Sequence, residues 1–191
     1  MNTNIHLLDL AKESLHGKWK FAVITFAVYI LVWVIPQNFE GIGTILSLVF
    51  SGPFALGVAI WSLSMSRNNE ASTNQIFEGF KNFNTTFTAY LLILFHVVIR
   101  LFLLIVPGIV AALSYAMTFY IIADNPDMGA REAMDKSRDM MAGQKEQLFY
   151  LCLRFLGLAL LCVLTLGIGF LWLMPYANVT MAKFYDGIKE N

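Results

Sequence analysis

The sequence predicts an all-α membrane protein with six transmembrane helices, arranged as three hairpins that are each preceded by a short cytoplasmic amphipathic helix. Its composition is the first reason: 58% of the 191 residues are hydrophobic and only 14% are charged, against about 25% charged residues in a typical soluble domain. The second reason is that the apolar residues are concentrated in four long stretches, 21–35, 43–65, 87–123 and 148–181. Apolar surface of this extent requires lipid as its solvent.

The charge balance and the cysteine content disfavour several other classes of protein. The 13 basic side chains are matched by 13 acidic ones, so the chain lacks the basic excess of a nucleic-acid binder. The high apolar content argues against a disordered chain, and two cysteines are too few for a disulfide scaffold. We therefore expect membrane lipids, and no nucleic acid, as partners.

The third and fourth apolar stretches are too long to be single spans. At 1.5 Å per residue each would reach about 50–55 Å, whereas the hydrocarbon core is about 30 Å thick. Each must fold back, the third at Pro107 and Gly108 and the fourth at Gly167 and Gly169, because proline removes a backbone donor and glycine frees φ. Six spans result, at 20–35, 43–65, 86–106, 108–123, 147–164 and 168–184.

The basic residues predict the orientation of these spans. With both termini in the cytoplasm, 11 of the 13 basic residues lie in cytoplasmic segments or at the adjoining helix ends, and the external turns hold none. This is a strong positive-inside pattern. The 11 residues are Lys12, Lys18, Lys20, Arg67, Lys81, Arg131, Lys136, Arg138, Lys145, Lys183 and Lys189.

A threefold pattern follows from three glycines that each precede a predicted hairpin. Gly17, Gly79 and Gly143 are 62 and 64 residues apart, and each is followed by a lysine and an aromatic residue. This spacing predicts a pseudo-repeat of about 63 residues, with boundaries near 1–66, 67–127 and 128–191, inside a single polytopic domain that covers 1–191.

Each predicted repeat begins with an amphipathic helix. In the first, Ile5, Leu8, Ala11 and Leu15 share one face. The second begins at Ser72 with Gln75 three residues later, a capping box. The third carries an apolar stripe and ends at Gly143; the stripe is Ala130, Ala133, Met134, Ser137 and Met141. We expect these helices to seal the bundle at the inner membrane surface, and the alternative is a docking surface formed by Met134, Met140 and Met141.

Three ionisable residues within the spans are predicted ligand-binding residues. His96 and Arg100 are four residues apart on the third span and share a face, and Arg154 lies about two turns into the fifth. A charge at membrane depth costs about 2.5–3.5 kcal/mol and is a functional hypothesis by default. The spans hold no acidic partner, so either these residues line a cavity that binds an anion or lipid phosphate, or the arginines snorkel to an interface.

Prolines and glycines mark the predicted hinges. Pro53 and Pro175 fall inside the second and sixth spans and predict kinks. The other hinge positions are the turn residues Pro107, Gly108, Gly167 and Gly169. Small residues recur at spacings of four, at 51, 55 and 59 and at 108, 112 and 116. This pattern predicts close packing between helices, either within one chain or between the chains of a homo-oligomer.

No residue pattern in the sequence favours an enzyme. Cys152 and Cys162 lie ten residues apart in one span and match no metal or redox spacing, and the three histidines are scattered. Nucleotide-binding and hydrolase motifs are absent from the sequence. We therefore predict no catalytic residue, no metal and no cofactor.

Several motifs in the second half of the chain resemble a known family. They are Ala130-Arg-Glu-Ala-Met-Asp-Lys-Ser137, Met141-Ala-Gly-Gln-Lys145 and Leu164-Thr-Leu-Gly-Ile-Gly-Phe-Leu-Trp-Leu-Met-Pro-Tyr176. These residues are similar to a bacterial integral-membrane family labelled domain of unknown function nine-seven-five. The resemblance implies a bacterial multi-pass protein of the cytoplasmic (inner) membrane and brings no catalytic residues. The family often has serine at the position of Arg154, which weighs against a shared role for that arginine.

Two functions from different classes remain open at this stage. The first is transport of a small solute, or handling of an anionic or lipid ligand, in a cavity of the helix bundle. The second is a non-catalytic membrane scaffold or regulator that binds partners through its cytoplasmic helices. A membrane-embedded enzyme ranks last, because the sequence offers neither a nucleophile motif nor a carboxylate pair.

Overall fold

The structure is a computed structural model that describes residues 4–37 and 42–189. Helix accounts for 84% of the described residues, which contain no strand, and this confirms the all-α class. The α-helices are α1 (Asn4–Leu15), α2 (Trp19–Gln37), α3 (Ile42–Ser66), α4 (Gln75–Glu78), α5 (Phe83–Leu103), α6 (Ile105–Ser114), α7 (Thr118–Asp124), α8 (Ala130–Met140), α9 (Lys145–Leu164) and α10 (Phe170–Lys189), with a 3-10 helix at Gly79–Asn82.

Four helical segments of the described chain are long and apolar enough to cross a membrane. They are Gly43–Ser66, Gln75–Leu103, Ile105–Asp124 and Lys145–Leu164, and they cover the second to fifth predicted spans. Helices α1 and α2 meet the same criteria only as a bent pair. The apolar part of α10 is shortened by Lys183 and Asp186, and the number of spans therefore stays a prediction.

The chain reverses direction close to the predicted turns. Between α5 and α6 it does so at Leu104, three residues before Pro107, which falls in the first turn of α6 where a missing N–H is tolerated. Between α9 and α10 it turns at 165–169, with Gly167 at a φ of +85°. The turn of the first hairpin, at 38–41, lies outside the described residues.

The described helices form two compact units. The first unit contains residues of Met1–Ser47, Trp61–Thr73 and Tyr150–Asn191, and the second contains Leu48–Ile60 and Asn74–Phe149. Helices α1, α2 and α10 pack together in the first unit, while α5, α6, α7 and α8 pack together in the second.

In the first unit, α1 lies at a steep angle to α2. The two helices are bent by 95° at a break that contains Gly17, whose φ is +75°. The predicted buried face of α1 is confirmed at Ala11 and Leu15, whereas Ile5 is 59% exposed. Leu7 and Ser14 are buried as well, so the buried face is rotated relative to the predicted one. This rotation brings the Ser14 hydroxyl to the Ser66 carbonyl oxygen, to which it donates a hydrogen bond at 3.4 Å.

A polar cluster joins the end of α3 to α10 in this unit. The Arg67 Nη2 lies 2.6 Å from Asp186 Oδ1, and its Nε donates to the same oxygen at 3.2 Å. Ser66 Oγ donates to Asp186 Oδ2 at 3.3 Å, and Lys183 Nζ donates to the Ser66 carbonyl oxygen. Two arginine contacts to one carboxylate fix the relative orientation of the two helix ends.

In the second unit, glycines allow very close backbone packing against α3. A Cβ on Gly57 would lie 1.8 Å from the Ile76 carbonyl oxygen, and one on Gly79 would lie 1.8 Å from the Pro53 carbonyl oxygen. The predicted capping box is wrong, since α4 begins at Gln75 with Asn74 at its N-cap position. The segment then continues through the 3-10 helix into α5, and the second amphipathic helix is not a separate element.

The predicted fourth span is broken within the second unit. Helix α6 ends at Ser114 and α7 begins at Thr118, and the interruption leaves backbone groups without their usual helical partners. Ser137 of α8, which is fully buried, bonds to two of them. Its Oγ accepts from the Met117 N–H at 3.2 Å and donates to the Ser114 carbonyl oxygen at 2.8 Å.

Candidate functional site

The first unit contains a cavity of about 550 Å³, within the usual size range of small-molecule pockets. It lies between α1, the start of α2, and the hairpin formed by α9 and α10. Its lining is almost entirely aliphatic and aromatic, with one charged side chain. The lining residues are Leu8, Lys12, Trp19, Leu158, Leu161, Cys162, Thr165, Gly169, Trp172, Leu173 and Tyr176.

The α9–α10 turn positions one end of the cavity. The Thr165 hydroxyl donates to the Cys162 carbonyl oxygen at 2.8 Å and accepts from the Gly169 N–H at 3.1 Å. Gly169 is needed here, because a Cβ would lie 2.7 Å from Cys162 Sγ. These contacts bring the second helix of the hairpin back beside the first and leave the cavity between the hairpin and α1.

Tyr176 positions the other end of the cavity. Its hydroxyl donates to the Leu8 carbonyl oxygen at 3.3 Å, which ties α10 to α1. Its ring centroid lies 6.5 Å from that of Trp19 and 5.8 Å from that of Phe155. The wall at this end is therefore aromatic, and its one hydroxyl group is already hydrogen-bonded.

Lys12 is the charged group of this site. It lines the cavity and is exposed at the protein surface. Within residues 4–37 and 42–189 it forms no ion pair. The Thr165 and Tyr176 hydroxyls are engaged with backbone groups, so the arrangement offers a ligand apolar walls and one positive charge.

The structure places two of the predicted ligand-binding residues together in the second unit. His96 and Arg100 lie one turn apart on α5, and both are partly buried. The His96 Nδ1–H donates to the Leu92 carbonyl oxygen at 2.8 Å, and its ring lies edge-on to Tyr115 at 5.8 Å. These contacts account for His96 as part of the helix packing around Tyr115.

Arg154, the third predicted residue, belongs to the first unit. It is exposed on α9 and forms no ion pair with any residue that the structure describes. None of His96, Arg100 and Arg154 lines the cavity described above. Their assignment as ligand-binding residues stays a prediction.

The predicted hinge prolines lie inside continuous helices. Pro53 is buried within α3 and Pro175 within α10, and each helix continues past its proline. Gly108 has a packing role, since a Cβ there would lie 2.7 Å from the Cα of Leu101 on the facing helix. The structure thus places Gly108 at the closest approach of α5 and α6.

Helix α8 uses its predicted apolar stripe for packing. Ala133, Met134 and Ser137 are buried, and Met141 just beyond the helix is completely buried. The exposed face carries Arg131, Glu132, Asp135, Lys136, Arg138 and Asp139. Two of the three methionines of the alternative docking surface are therefore inaccessible.

Two residues, one that lines the cavity and one that packs against the break between α6 and α7, were not identified as such from the sequence. Lys12 was counted only as a marker of orientation, although its position on the polar face of α1, seven residues before Trp19, was a visible signal. Ser137 was assigned only to the apolar stripe of α8, and no sequence signal shows that it bonds to the break between α6 and α7.

The part of the chain that the structure describes contains no group of three or more His, Cys, Asp or Glu side chains that could hold a metal ion. Cys152 and Cys162 are both free thiols.

Comparison with known proteins identifies a family. The model of the family "Protein of unknown function (DUF975)" matches residues 93–191, which confirms the resemblance seen in the motifs from Ala130 to Tyr176. Comparisons with curated proteins and with solved structures gave no match. The matched region covers just over half of the chain and includes α6 to α10, so the chain belongs to the DUF975 family of proteins of unknown function.

Proposed function

We propose that this protein is a multi-pass protein of the bacterial cytoplasmic membrane that binds an anionic amphiphile, a lipid-like molecule with a negatively charged head group. The proposed topology keeps three helical hairpins inserted in the membrane, both termini in the cytoplasm and a single polytopic domain. The observation that carries the proposal is the cavity of the first unit, which combines apolar walls with Lys12, a lysine that forms no ion pair with any residue the structure describes.

The walls of the cavity suit an acyl chain. From Gly169 to Tyr176 the lining follows α10 for about 10 Å at 1.5 Å per residue, and leucines of α9 line the cavity as well. Burial of apolar ligand surface against such walls is favourable at roughly 25 cal/mol per Å². A polar solute would lose its hydration here and find only one charged group in return, so transport of a small polar solute draws no support from this cavity.

The position of Lys12 suits an anionic head group. Helix α1 is amphipathic and is bent by 95° from α2, the geometry of a helix that lies at the membrane surface before a spanning helix. Trp19, an aromatic residue of the kind enriched at membrane interfaces, lines the cavity beside it. In this placement the ammonium group lies at head-group level while the cavity extends along the acyl chains.

A lipid-binding measurement tests this proposal. Wild-type protein purified in neutral detergent is titrated with phosphatidylglycerol or phosphatidylcholine, and bound lipid is counted by native mass spectrometry. We expect tighter binding of phosphatidylglycerol. Lys12→Ala should weaken that binding about fivefold, since one basic residue near a lipid surface is worth about 1 kcal/mol.

Lys20→Ala is the matched control, because Lys20 is an exposed lysine near the same break that does not line the cavity. Its binding should equal that of the wild type. Equal loss in both variants would reduce the effect to general surface charge, and unchanged binding in Lys12→Ala would refute the assignment of the head-group site.

The alternative of a scaffold that docks partners through α8 would have to use the charged face of that helix. Met134 and Met141 are buried, so the methionine-rich docking surface that first suggested this function is not available.

A further inference from the structure

We infer that the turn between α9 and α10, residues 163–169, lies in the hydrocarbon of the bilayer instead of in the water beyond it, and forms a lipid-contact surface. The inference rests on the proposed membrane insertion and adds a depth to it: the third hairpin ends inside the membrane. Four independent features of this turn support it.

The first feature is the absence of charge around the turn. No Asp, Glu, Lys or Arg occurs from 155 to 182, a segment that includes most of both helices of the hairpin. At its centre the apolar side chains point outward: Leu164 is 79% exposed, Leu166 is 94% exposed and Ile168 is 59% exposed. A turn in water is ordinarily built from polar residues and glycine, whereas hydrocarbon solvates leucine and isoleucine at no cost.

The second feature is that the backbone N–H groups of the turn are bonded within the turn itself. Every N–H from Thr165 to Leu173 has an acceptor within 162–169. Where the backbone N–H of Gly169 leaves the helical pattern, the Thr165 hydroxyl accepts from it at 3.1 Å. A turn in hydrocarbon has no water to bond its backbone donors, and this turn needs none.

The third feature is the residue that takes the left-handed conformation. Leu166 has a φ of +52°, a conformation that costs free energy in any residue with a Cβ and that favours Gly, Asn or Asp. The sequence nevertheless keeps a leucine at the most exposed point of the turn. An apolar surrounding explains that choice, because asparagine in hydrocarbon would have an unsatisfied amide.

The fourth feature is a contrasting turn in the same chain. Asn68 has a φ of +56°, close to that of Leu166, and it lies between Arg67 and Glu70 in an exposed polar turn. The left-handed backbone conformation is therefore adopted by asparagine in the turn with charged neighbours and by leucine in the turn with apolar neighbours. The two turns thus differ in the solvent that they meet.

Spin labels test the depth of the turn. Cys152 and Cys162 are replaced by alanine, and a nitroxide is attached at Leu166→Cys or, as a second site, Ile168→Cys, in protein reconstituted in phosphatidylglycerol and phosphatidylcholine vesicles. Collision with oxygen, which concentrates in hydrocarbon, is compared with collision with a water-soluble nickel complex. Leu160→Cys on the exposed face of α9 is the hydrocarbon control and Asn69→Cys is the aqueous control.

We expect labels at 166 and 168 to match the label at 160, with oxygen collisions dominant, and the label at 69 to show the reverse. Labels at 166 and 168 that match the label at 69 would overturn the inference about the turn, but they would not contradict the proposed membrane insertion. Nickel collisions that dominate at 160 as well would instead overturn the proposed membrane insertion.

Discussion

At the scale of single residues, Ser137 connects the break between α6 and α7 to α8. It is completely buried and bonds to the backbone groups of Met117 and Ser114. A buried donor that loses its partner costs about 1–3 kcal/mol. We predict that Ser137→Ala lowers the free energy of unfolding by about this amount, measured by reversible denaturation in mixed micelles with tryptophan fluorescence as the signal.

Ser114→Ala serves as the control for this prediction. The Ser114 hydroxyl donates only to the Val110 carbonyl oxygen, one turn back in its own helix, at 2.7 Å. Its loss leaves no break unsupported, so its effect should stay below about 1 kcal/mol. Equal destabilisation by the two variants would contradict the bridging role of Ser137.

The residue scale is also where prediction from sequence was weakest. Arg100 and Arg154 could be identified as candidates because a charged residue within an apolar stretch is recognisable from the sequence alone. The cavity beside Lys12 could not, because its lining comes from α1, α2, α9 and α10, which only the tertiary packing brings together. Lys12 lies among other basic residues of the cytoplasmic segments, where nothing in the sequence separates a ligand-binding lysine from a topological one.

At the scale of elements, the three regularly spaced glycines serve two different purposes. Gly17 and Gly143 have positive φ, +75° and +80°, in turns that follow α1 and α8. Gly79 has a φ of −58° and allows a close backbone contact with Pro53. Two of the three regularly spaced glycines therefore form turns after a helix, and the third allows a close backbone contact. The threefold pseudo-repeat stays a prediction.

Close packing between α3 and the segment after it gives a second prediction. Gly57→Ala should destabilise the protein by at least about 1–3 kcal/mol, the usual cost of overpacking, because its Cβ would lie 1.8 Å from a backbone oxygen that cannot move freely. Thermal unfolding in detergent measures the effect.

Gly157→Ala is the matched control for this variant. Gly157 also lies inside a helix, but nothing is within 4 Å of its Cβ position. Alanine there should stabilise the helix by about 0.5–1 kcal/mol. A loss of stability at this position equal to that of Gly57→Ala would show that general helix effects, and not the contact with Ile76, explain the first result.

Element positions were predictable to the extent that apolar length determines them. The segments 43–65 and 147–164 lie in helices that can cross a membrane, and so does the predicted span 86–106 as far as Leu103, because an uninterrupted apolar run leaves few other structures. The break at 115–117 was not predictable, since it depends on Ser137 from a later helix. The predicted capping box at Ser72 could not be tested from the sequence either. The helix begins at Gln75, in a segment whose backbone packs closely on α3.

At the scale of the whole molecule, the proposed topology predicts which segments are accessible from each side of the membrane. In a background with Cys152 and Cys162 replaced by alanine, Asn69→Cys and Asp127→Cys should react with an impermeant maleimide only in inverted membrane vesicles. Both are in segments that the positive-inside pattern places in the cytoplasm. Labelling of either in intact cells would contradict the proposed orientation, and total labelling in detergent verifies that each thiol is reactive.

In the proposed function, the cavity of the first unit holds an anionic amphiphile with its head group at Lys12. The most direct measurement uses phosphatidylglycerol with a photoactivatable diazirine on its acyl chain, cross-linked in vesicles and mapped by peptide mass spectrometry. We expect cross-links concentrated on the lining of α1, α9 and α10, with a yield reduced several-fold by Lys12→Glu and unaffected by Lys20→Glu. Cross-links spread evenly over the exposed face of α9, with the same yield in all three proteins, would contradict the proposed function.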